Sequence, residues 1–280
     1  MKKLLFFDID GTLIGDRAHG HRMPESTGKA IELARQNGHV CMVNTGRTDR
    51  LVRNWLPDLL EFDGYLMGCG TMIVYGDDVL LHHTFDARTA ERIIDGLDRY
   101  HIDALLEGQD NLFVREPETM YTKTFRDYIM AFKDKRFGEF GEAPGHFDKF
   151  FCYADERESV EDFMAEFGNV LDAIDREGGF FEIVPKGFSK ASGMRYMAEY
   201  LGIPMEDTVA IGDSNNDLPM LEAAGCAIAM GNSSKPVLDI ADYVTAAVEE
   251  DGIRKALEWL GVICRSLTER IVRNRIVILM

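Results

Sequence analysis

Basic residues are the clearest shortage in this 280-residue chain: 31 Lys and Arg stand against 48 Asp and Glu, a formal net charge of −17. A face for nucleic acid or an anionic membrane needs a surplus of cations, so neither partner is expected. A small anionic substrate stays open, because a metal ion and one or two buried cations hold such a ligand locally. Cysteine is also scarce, with five residues at Cys41, Cys69, Cys152, Cys226 and Cys264 and no CxxC pair. An odd, scattered set excludes a disulfide framework and a cysteine-built zinc site, and it fits reduced thiols in the cytoplasm. No run of roughly 18 apolar residues occurs, and the apolar start breaks at Asp8, so neither a membrane span nor a secretory leader is expected. What remains is ordinary for a soluble protein of about two domains: 46% hydrophobic and 28% charged residues, with no repeat of fixed period.

Short apolar runs alternate with helical patterns over the first 80 residues. Residues 3–7 read as a buried strand ending at Asp8, and residues 39–43 as a second strand ending at Asn44-Thr45-Gly46. A helical pattern follows each, and residues 71–75 and 79–81 read as a hairpin around Gly76-Asp77-Asp78. Such alternation predicts βαβ units and a mostly parallel sheet. Beyond residue 83 the order changes. A helix over 87–100 is followed by strand candidates at 104–107, 112–115, 150–153, 170–174 and 180–184, with a helix around 160–167. Alternation then returns, with helices over 189–201, 218–224 and 253–260 and strands at 209–212 and 227–230. The expected fold is α/β: a parallel-sheet core made of residues 1–82 and 187–263, interrupted by an α+β domain over 83–186. Residues 264–280 form a tail of unknown role that packs as an extra element, pairs with a neighbouring subunit, or stays an unpacked terminus.

Three of the strand candidates end on reactive residues: Asp8, Thr45 and Asp213. In open parallel sheets ligands sit at the carboxyl ends of strands, so these distant groups converge in space. In the stretch DIDGTL (residues 8–13), Asp8 at a strand tip is placed to act as a carboxylate nucleophile. Asp10, two residues on, is placed as acid for the leaving group and then as base for water. Gly11 permits the tight turn. In GDSNND (residues 212–217), two carboxylates and two amides offer hard oxygen ligands that suit Mg²⁺ beside a phosphate. Lys190 starts a helix in a Gly-Phe-Ser-Lys turn, where backbone N–H groups already attract anions.

Taken in order, these residues resemble the haloacid dehalogenase-like phosphatases with a type IIB cap, the Cof-like group. The motifs are Asp8-Ile9-Asp10-Gly11-Thr12, Thr45-Gly46-Arg47, Lys190 and Gly212-Asp213-Ser214-Asn215-Asn216-Asp217. Further matching stretches are EIVPKGFSK, AIAMGNSSKPVLDIADYVT and EEDGI, so the resemblance runs over about residues 3–262. It implies a Rossmann-like core with an inserted α+β cap, Asp8 as nucleophile and Asp10 as acid/base. It further implies that Thr45, Gly46, Arg47, Lys190 and Asn216 bind phosphate or substrate. Mg²⁺ would be held by Asp8, Asp213 and the Asp10 carbonyl, with support from Asp217. The 145 residues from Thr45 to Lys190 house the cap; the 37 from Asp8 to Thr45 have room for only one helix and one strand.

The expected activity is hydrolysis of a small phosphorylated metabolite, a sugar phosphate or cofactor phosphate. A phosphomutase using the same aspartate pair is the alternative, and a non-catalytic phosphorylatable module is a distant one. Asp10 separates this chain from the family's dehalogenases, which lack a second aspartate there, and from its transport ATPases, which carry threonine. Two departures stand out. The family's usual Asn-Gly after the second motif is replaced by Cys69-Gly70, so no substrate contact carries over to that position. The tail from Cys264 onward has no counterpart. His19, His21, His82 and His83 read as loop histidines, and Cys41 as a small core hydrophobe. Arg47 either contacts phosphate or caps the strand end.

Overall fold

The computed structural model describes residues 2–15, 22–55, 62–131 and 136–264. The basic tail beyond Cys264 and the His19/His21 pair lie outside them. In chain order the first segment comprises β1 (Leu4–Phe7), α1 (Glu25–Gln36), β2 (Val40–Asn44), α2 (Asp49–Trp55), β3 (Gly64–Met67), β4 (Met72–Tyr75) and β5 (Asp78–His82). There follow α3 (Ala87–Arg99), β6 (Asp103–Glu107), β7 (Leu112–Val114), α4 (Lys123–Met130), β8 (Gly138–Glu139), β9 (Lys149–Tyr153), α5 (Arg157–Phe167), β10 (Leu171–Asp175) and β11 (Phe180–Pro185). The last segment carries α6 (Lys190–Leu201), β12 (Thr208–Gly212), α7 (Leu218–Ala223), β13 (Cys226–Ala229), α8 (Lys235–Ile240), β14 (Tyr243–Val244) and α9 (Gly252–Trp259).

Two sheets result. The larger runs β14-β13-β12-β1-β2-β3-β4-β5, parallel from β14 to β3 and antiparallel through the hairpin at β4 and β5. Its central strand β1 is Leu-Leu-Phe-Phe, and all four side chains are fully buried. A parallel strand covered on both faces needs such an unbroken apolar run. Leu5 and Phe7 join a core beneath α1 and α9, while Leu4 and Phe6 join the opposite core beneath α6, α7 and α8. Each buried side chain of this size contributes about 1.5–3 kcal/mol, which pins the strand that ends in Asp8.

The second sheet, β10-β11-β9-β6-β7-β8, is built wholly from the inserted segment and is antiparallel except for β7 with β8. Period-two alternation divides its residues. Ala104, Leu106, Phe150, Cys152, Phe181 and Ile183 pack beneath α3 and α5 in one cluster. Leu105, Phe151, Tyr153 and Phe180 belong to another cluster, which includes Phe125 and Ile129 of α4. The fold is therefore a Rossmann-like core with an inserted α+β cap. Within the cap, α4 falls where the sequence reading places no element: of its residues only Phe125 and Ile129, four apart, are buried. Helix α8 and strand β14 were likewise not foreseen. Among the described residues no helix is long and apolar enough to cross a membrane.

Candidate active site

The carboxyl ends of the parallel strands open into a cleft of ≈660 Å³ whose other wall is the cap. Asp8 follows β1 directly, and its backbone N–H continues the ladder to Ile211 of β12 at 3.0 Å. Because β1 and β12 are neighbours, the loop after each strand emerges at the same point, and Asp213 lies beside the 8–13 turn. Thr12 Oγ1 donates to Asp213 Oδ1 at 3.1 Å. Gly11 has φ +80°, and a Cβ there would stand 2.2 Å from Asp213 Oδ2. Only glycine fits that approach.

Lys190 is the first residue of α6. Ser189 caps the helix by accepting from the Ser192 N–H at 3.1 Å, and Asn44 Nδ2 holds the Lys190 carbonyl at 3.0 Å. With its backbone fixed, the fully buried lysine directs Nζ between Asp8 Oδ1 and Asp217 Oδ1, 2.5 Å from each. Asp217 Oδ2 accepts from the N–H groups of Asp213 and Ser214 at 2.9 and 3.0 Å. Both Asp217 oxygens are thus engaged by protein donors, whereas among the described residues the Asp213 carboxylate accepts from the Thr12 hydroxyl alone.

One oxygen from each of Asp8, Asp213 and Asp217 lies within 4.8 Å of the other two. Three carboxylates share one lysine, and the imbalance shows in their protonation. Burial first, then repulsion from Asp217, pushes Asp8 up to about 7 despite Lys190. Burial, Asp8 and Asp217 push Asp213 up to about 8. Burial opposes the charge on Lys190, but its two carboxylates outweigh that and hold it ionised. An all-oxygen set short of positive charge fits a hard divalent cation such as Mg²⁺. The Asp10 carboxylate is not in this cluster. It lies nearly half exposed and pairs in two-pronged fashion with Arg47, Nε to Oδ2 at 2.6 Å and the second nitrogen to Oδ1 at 2.5 Å. Arg47 does more than cap a strand end, since it holds Asp10 at the edge of the cleft.

Thr45 follows β2, is buried, and accepts from the Arg47 N–H at 3.2 Å. Gly46 lies against the cap: an added Cβ would be 2.6 Å from Glu182 Oε1, and its carbonyl accepts from Lys149 Nζ at 3.1 Å. Asn216 lines the cleft with Oδ1 bonded to Ser214 Oγ at 2.7 Å.

The cap wall carries a second buried lysine. Lys149 Nζ donates to Glu107 Oε1 at 3.0 Å and Glu182 Oε1 at 2.7 Å, besides the Gly46 carbonyl. Arg176 donates to Glu182 Oε2 at 3.1 Å, and the Cys69 thiol to Glu182 Oε1 at 3.3 Å. Burial raises Glu182, but Lys149 and Arg176 overcome it and hold the carboxyl down at about 2. Above this group, Leu105, Tyr128 and Phe151 give the cleft an apolar side.

Over residues 5–257 the chain matches the family model described as haloacid dehalogenase-like hydrolase. The chain belongs to the haloacid dehalogenase-like hydrolases. Among curated relatives, it is 27% identical over 273 residues to the 5-amino-6-(5-phospho-D-ribitylamino)uracil phosphatase YitU of Bacillus subtilis, covering 91% of this chain and 96% of that one. Among solved structures, it superposes on the subclass IIB sugar phosphatase BT4131 with a TM-score of 0.78 at 28% identity, covering 94% of this chain and all of that one. The phosphatase BT1666 from Bacteroides thetaiotaomicron gives a TM-score of 0.81 at 28% identity, covering 94% and 96%.

For this haloacid dehalogenase-like hydrolase, the structure gathers Asp8, Asp213, Asp217 and Lys190 at one point and sets Asp10, Thr45, Gly46, Arg47 and Asn216 along the cleft. It adds Glu107, Lys149, Arg176 and Glu182, which sequence reasoning passed over. A signal was present for three of them: charges in otherwise apolar strand patterns, at the ends of DALLE, at the start of KFFCY and within FFEIVP, mark buried ion groups. The substituted Cys69 has φ 56° and is fully buried, its thiol turned to Glu182. His82 bonds Asp148 and His83 packs near Phe188, and among the described residues neither belongs to a group of metal-ligating side chains.

Proposed function

We propose that this hydrolase is a Mg²⁺-dependent phosphatase that cleaves a small phosphorylated metabolite, a sugar or cofactor phosphate, through an aspartyl phosphate on Asp8. The observation that carries the reading is Asp8 itself: a buried carboxylate at a strand tip, fixed by Lys190 and flanked by an undercompensated pair of aspartates. The names of relatives support it, since YitU, BT4131 and BT1666 are phosphatases.

An Asp8 oxygen attacks phosphorus while the ester oxygen departs with a proton from Asp10. Water then attacks the acyl phosphate, gives its proton to Asp10 and restores the Asp8 carboxylate as phosphate leaves. Arg47 holds Asp10 on the cleft wall where a leaving group emerges. The phosphoryl oxygens are received by Thr45, Gly46, Arg47, Lys190 and Asn216. Mg²⁺ would be held by Asp8, Asp213 and the Asp10 carbonyl, with Asp217 in support, and would supply charge neutralisation and Lewis acidity. Residues 83–186 act as a lid that excludes water and contacts the leaving group.

Turnover of p-nitrophenyl phosphate tests the assignment. It is expected with Mg²⁺, lost on chelation, and lost in Asp8→Asn. Full activity in metal-free buffer, or in Asp8→Asn, would overturn it.

A further inference from the structure

The loop after β13, residues 231–234, takes no part in the chemistry above, yet it joins the two loops that carry the acidic groups. Toward the loop after β12 it makes three bonds. The Ser234 N–H donates to the Asp213 carbonyl at 2.9 Å, Ser233 Oγ to the Gly212 carbonyl at 3.3 Å, and Ser234 Oγ to Asn215 Oδ1 at 3.1 Å. Toward the turn after β1 it sends one side chain: Asn232 Nδ2 donates to the Gly11 carbonyl at 2.8 Å. Asn232 Oδ1 accepts from the N–H of buried Val248 at 3.3 Å, so the amide is held at both ends with its nitrogen toward Gly11. The backbone beneath is pinned too. The Gly231 N–H donates to the Ala246 carbonyl at 3.0 Å, and a Cβ on Gly231 would stand 2.7 Å from the Ala247 nitrogen.

What Asn232 fixes is the backbone on either side of Gly11. On one side, the Gly11 N–H donates to the Ile14 carbonyl at 2.9 Å, and across that trans peptide the Asp10 carbonyl points the opposite way. On the other, the plane between Gly11 and Thr12 is held by Asn232, while the Thr12 N–H reaches the Ile9 carbonyl only at 3.3 Å. Gly11, at φ +80° and without a Cβ, gives the chain little resistance to rotation between the two planes. Rotation there would swing the Asp10 carbonyl and carry Thr12 Oγ1 off Asp213 Oδ1. A site whose loops are already in place binds its ion more tightly than one that must first order them.

We propose that Asn232 is a positioning residue for the divalent cation: by holding the Gly11 carbonyl, it ties the Asp10 turn to the Asp213 loop and so raises the affinity of the site. The inference rests on the Mg²⁺ reading given under the proposed function. It assigns a part in metal binding to a side chain that touches neither the three clustered carboxylates nor the cleft wall.

The test is titration calorimetry of the full chain with Mg²⁺ alone, in the absence of any phosphate ester, on the wild type, Asn232→Ala and Asn37→Ala. Asn37 makes the same kind of bond at the end of α1, Nδ2 to the Val262 carbonyl at 2.8 Å. Asn232→Ala is expected to weaken Mg²⁺ binding by about 3–10-fold, the worth of one hydrogen bond, while Asn37→Ala leaves it unchanged. The Mg²⁺ concentration for half-maximal turnover of p-nitrophenyl phosphate should shift in the same direction in Asn232→Ala. An unchanged dissociation constant in the folded Asn232→Ala protein overturns the proposal. So does equal weakening in both variants, which marks a general loss of structure. Should Asn232→Ala fail to fold, the wild type decides alone, because coupling between a contact and a ligand is reciprocal. The side-chain amide resonances of Asn232 must then move in step with added Mg²⁺, and resonances that stay still overturn the proposal. A wild type that binds no Mg²⁺ strikes the metal reading itself and the proposal with it. Binding indifferent to Asn232 strikes the positioning role alone.

Discussion

Two lysines of this hydrolase are buried between pairs of carboxylates, Lys190 in the core and Lys149 in the cap, and the charge around them differs. Lys190 bridges Asp8 and Asp217 while Asp213 stands beside them, so three acids face one base. Lys149 bridges Glu107 and Glu182 while Arg176 stands beside them, so two acids face two bases. The acids report the contrast, with Asp8 and Asp213 pushed up and Glu182 held down. A balanced buried group mainly organises structure, whereas an unbalanced one is poised to take up a proton or a cation. The same motif of lysine between carboxylates is thus short of positive charge beside β1 and balanced beside β9.

The largest effects should come from the reactive centre. Asp8→Asn is expected to remove turnover of p-nitrophenyl phosphate entirely and to show no burst in a rapid-quench experiment. Asp10→Asn keeps the nucleophile, and p-nitrophenol leaves readily without a proton. It should therefore show a burst near one equivalent per site, then hydrolysis slowed by about 10²–10⁴-fold. Equal, burst-free loss in both variants would mean that Asp10 does not serve as the base for water.

Replacing each lysine separates the two centres by stability. Lys149→Met leaves Glu107 and Glu182 buried around one arginine and should cost about 3–5 kcal/mol in denaturant unfolding, with or without Mg²⁺. Lys190→Met should cost a similar amount in metal-free buffer and recover part of it when Mg²⁺ is added, because the cation takes over the neutralising role. Recovery by Mg²⁺ in Lys149→Met, or none in Lys190→Met, breaks the contrast.

Next comes the pH dependence of the metal-free protein. Asp8 and Asp213 titrate from an ordinary 3.8 up to about 7 and about 8 in the folded state. Between those limits the native state binds more protons than the unfolded chain, so stability falls as pH rises from about 4 towards 8. Thermal melts should follow that slope, and Mg²⁺ should raise the melting temperature most at the alkaline end. At a hundredfold excess over its dissociation constant, the cation contributes about 2.7 kcal/mol. A melting temperature that climbs between pH 5 and 8 without metal contradicts the charge imbalance.

The smallest expected effect lies where the core sheet meets the cap. His82, at the end of β5, bonds Asp148 at 3.0 Å, and that bond raises its pKa above the usual 6.5. Its contribution is full below pH 6.5 and disappears as pH rises through the raised value. For a partly exposed pair, His82→Ala should cost under about 1 kcal/mol at pH 5.5 and less at pH 8.5. A loss that grows with pH would show that the imidazole acts there as a neutral packing group.

Much of the core could be read from the chain because its local signals agree. LLFF followed by DIDGT is a buried strand running into a glycine turn, and GFSK followed by a helical pattern is a capped helix start. The cap was less legible. The unforeseen α4 buries only Phe125 and Ile129, and its start is set by distant Asp103, whose carboxylate accepts from the N–H groups of Tyr121 and Thr122. Tyr128 of this helix lines the cleft through that placement.

By itself, the sequence determined the alternation that makes a parallel sheet, the long insertion after Thr45, and the residue types for phosphoryl chemistry at strand ends and a helix start. Those follow from backbone geometry and apolar periodicity, which act over a few residues. Tertiary structure alone decided that Asp10 is held by Arg47 while Asp217 is locked by Lys190 and two N–H groups. It also decided that Lys149 is spent on three fixed acceptors. Partnering of buried charges is settled by groups brought together across tens to hundreds of residues, and no local pattern encodes which carboxylate a buried lysine will meet.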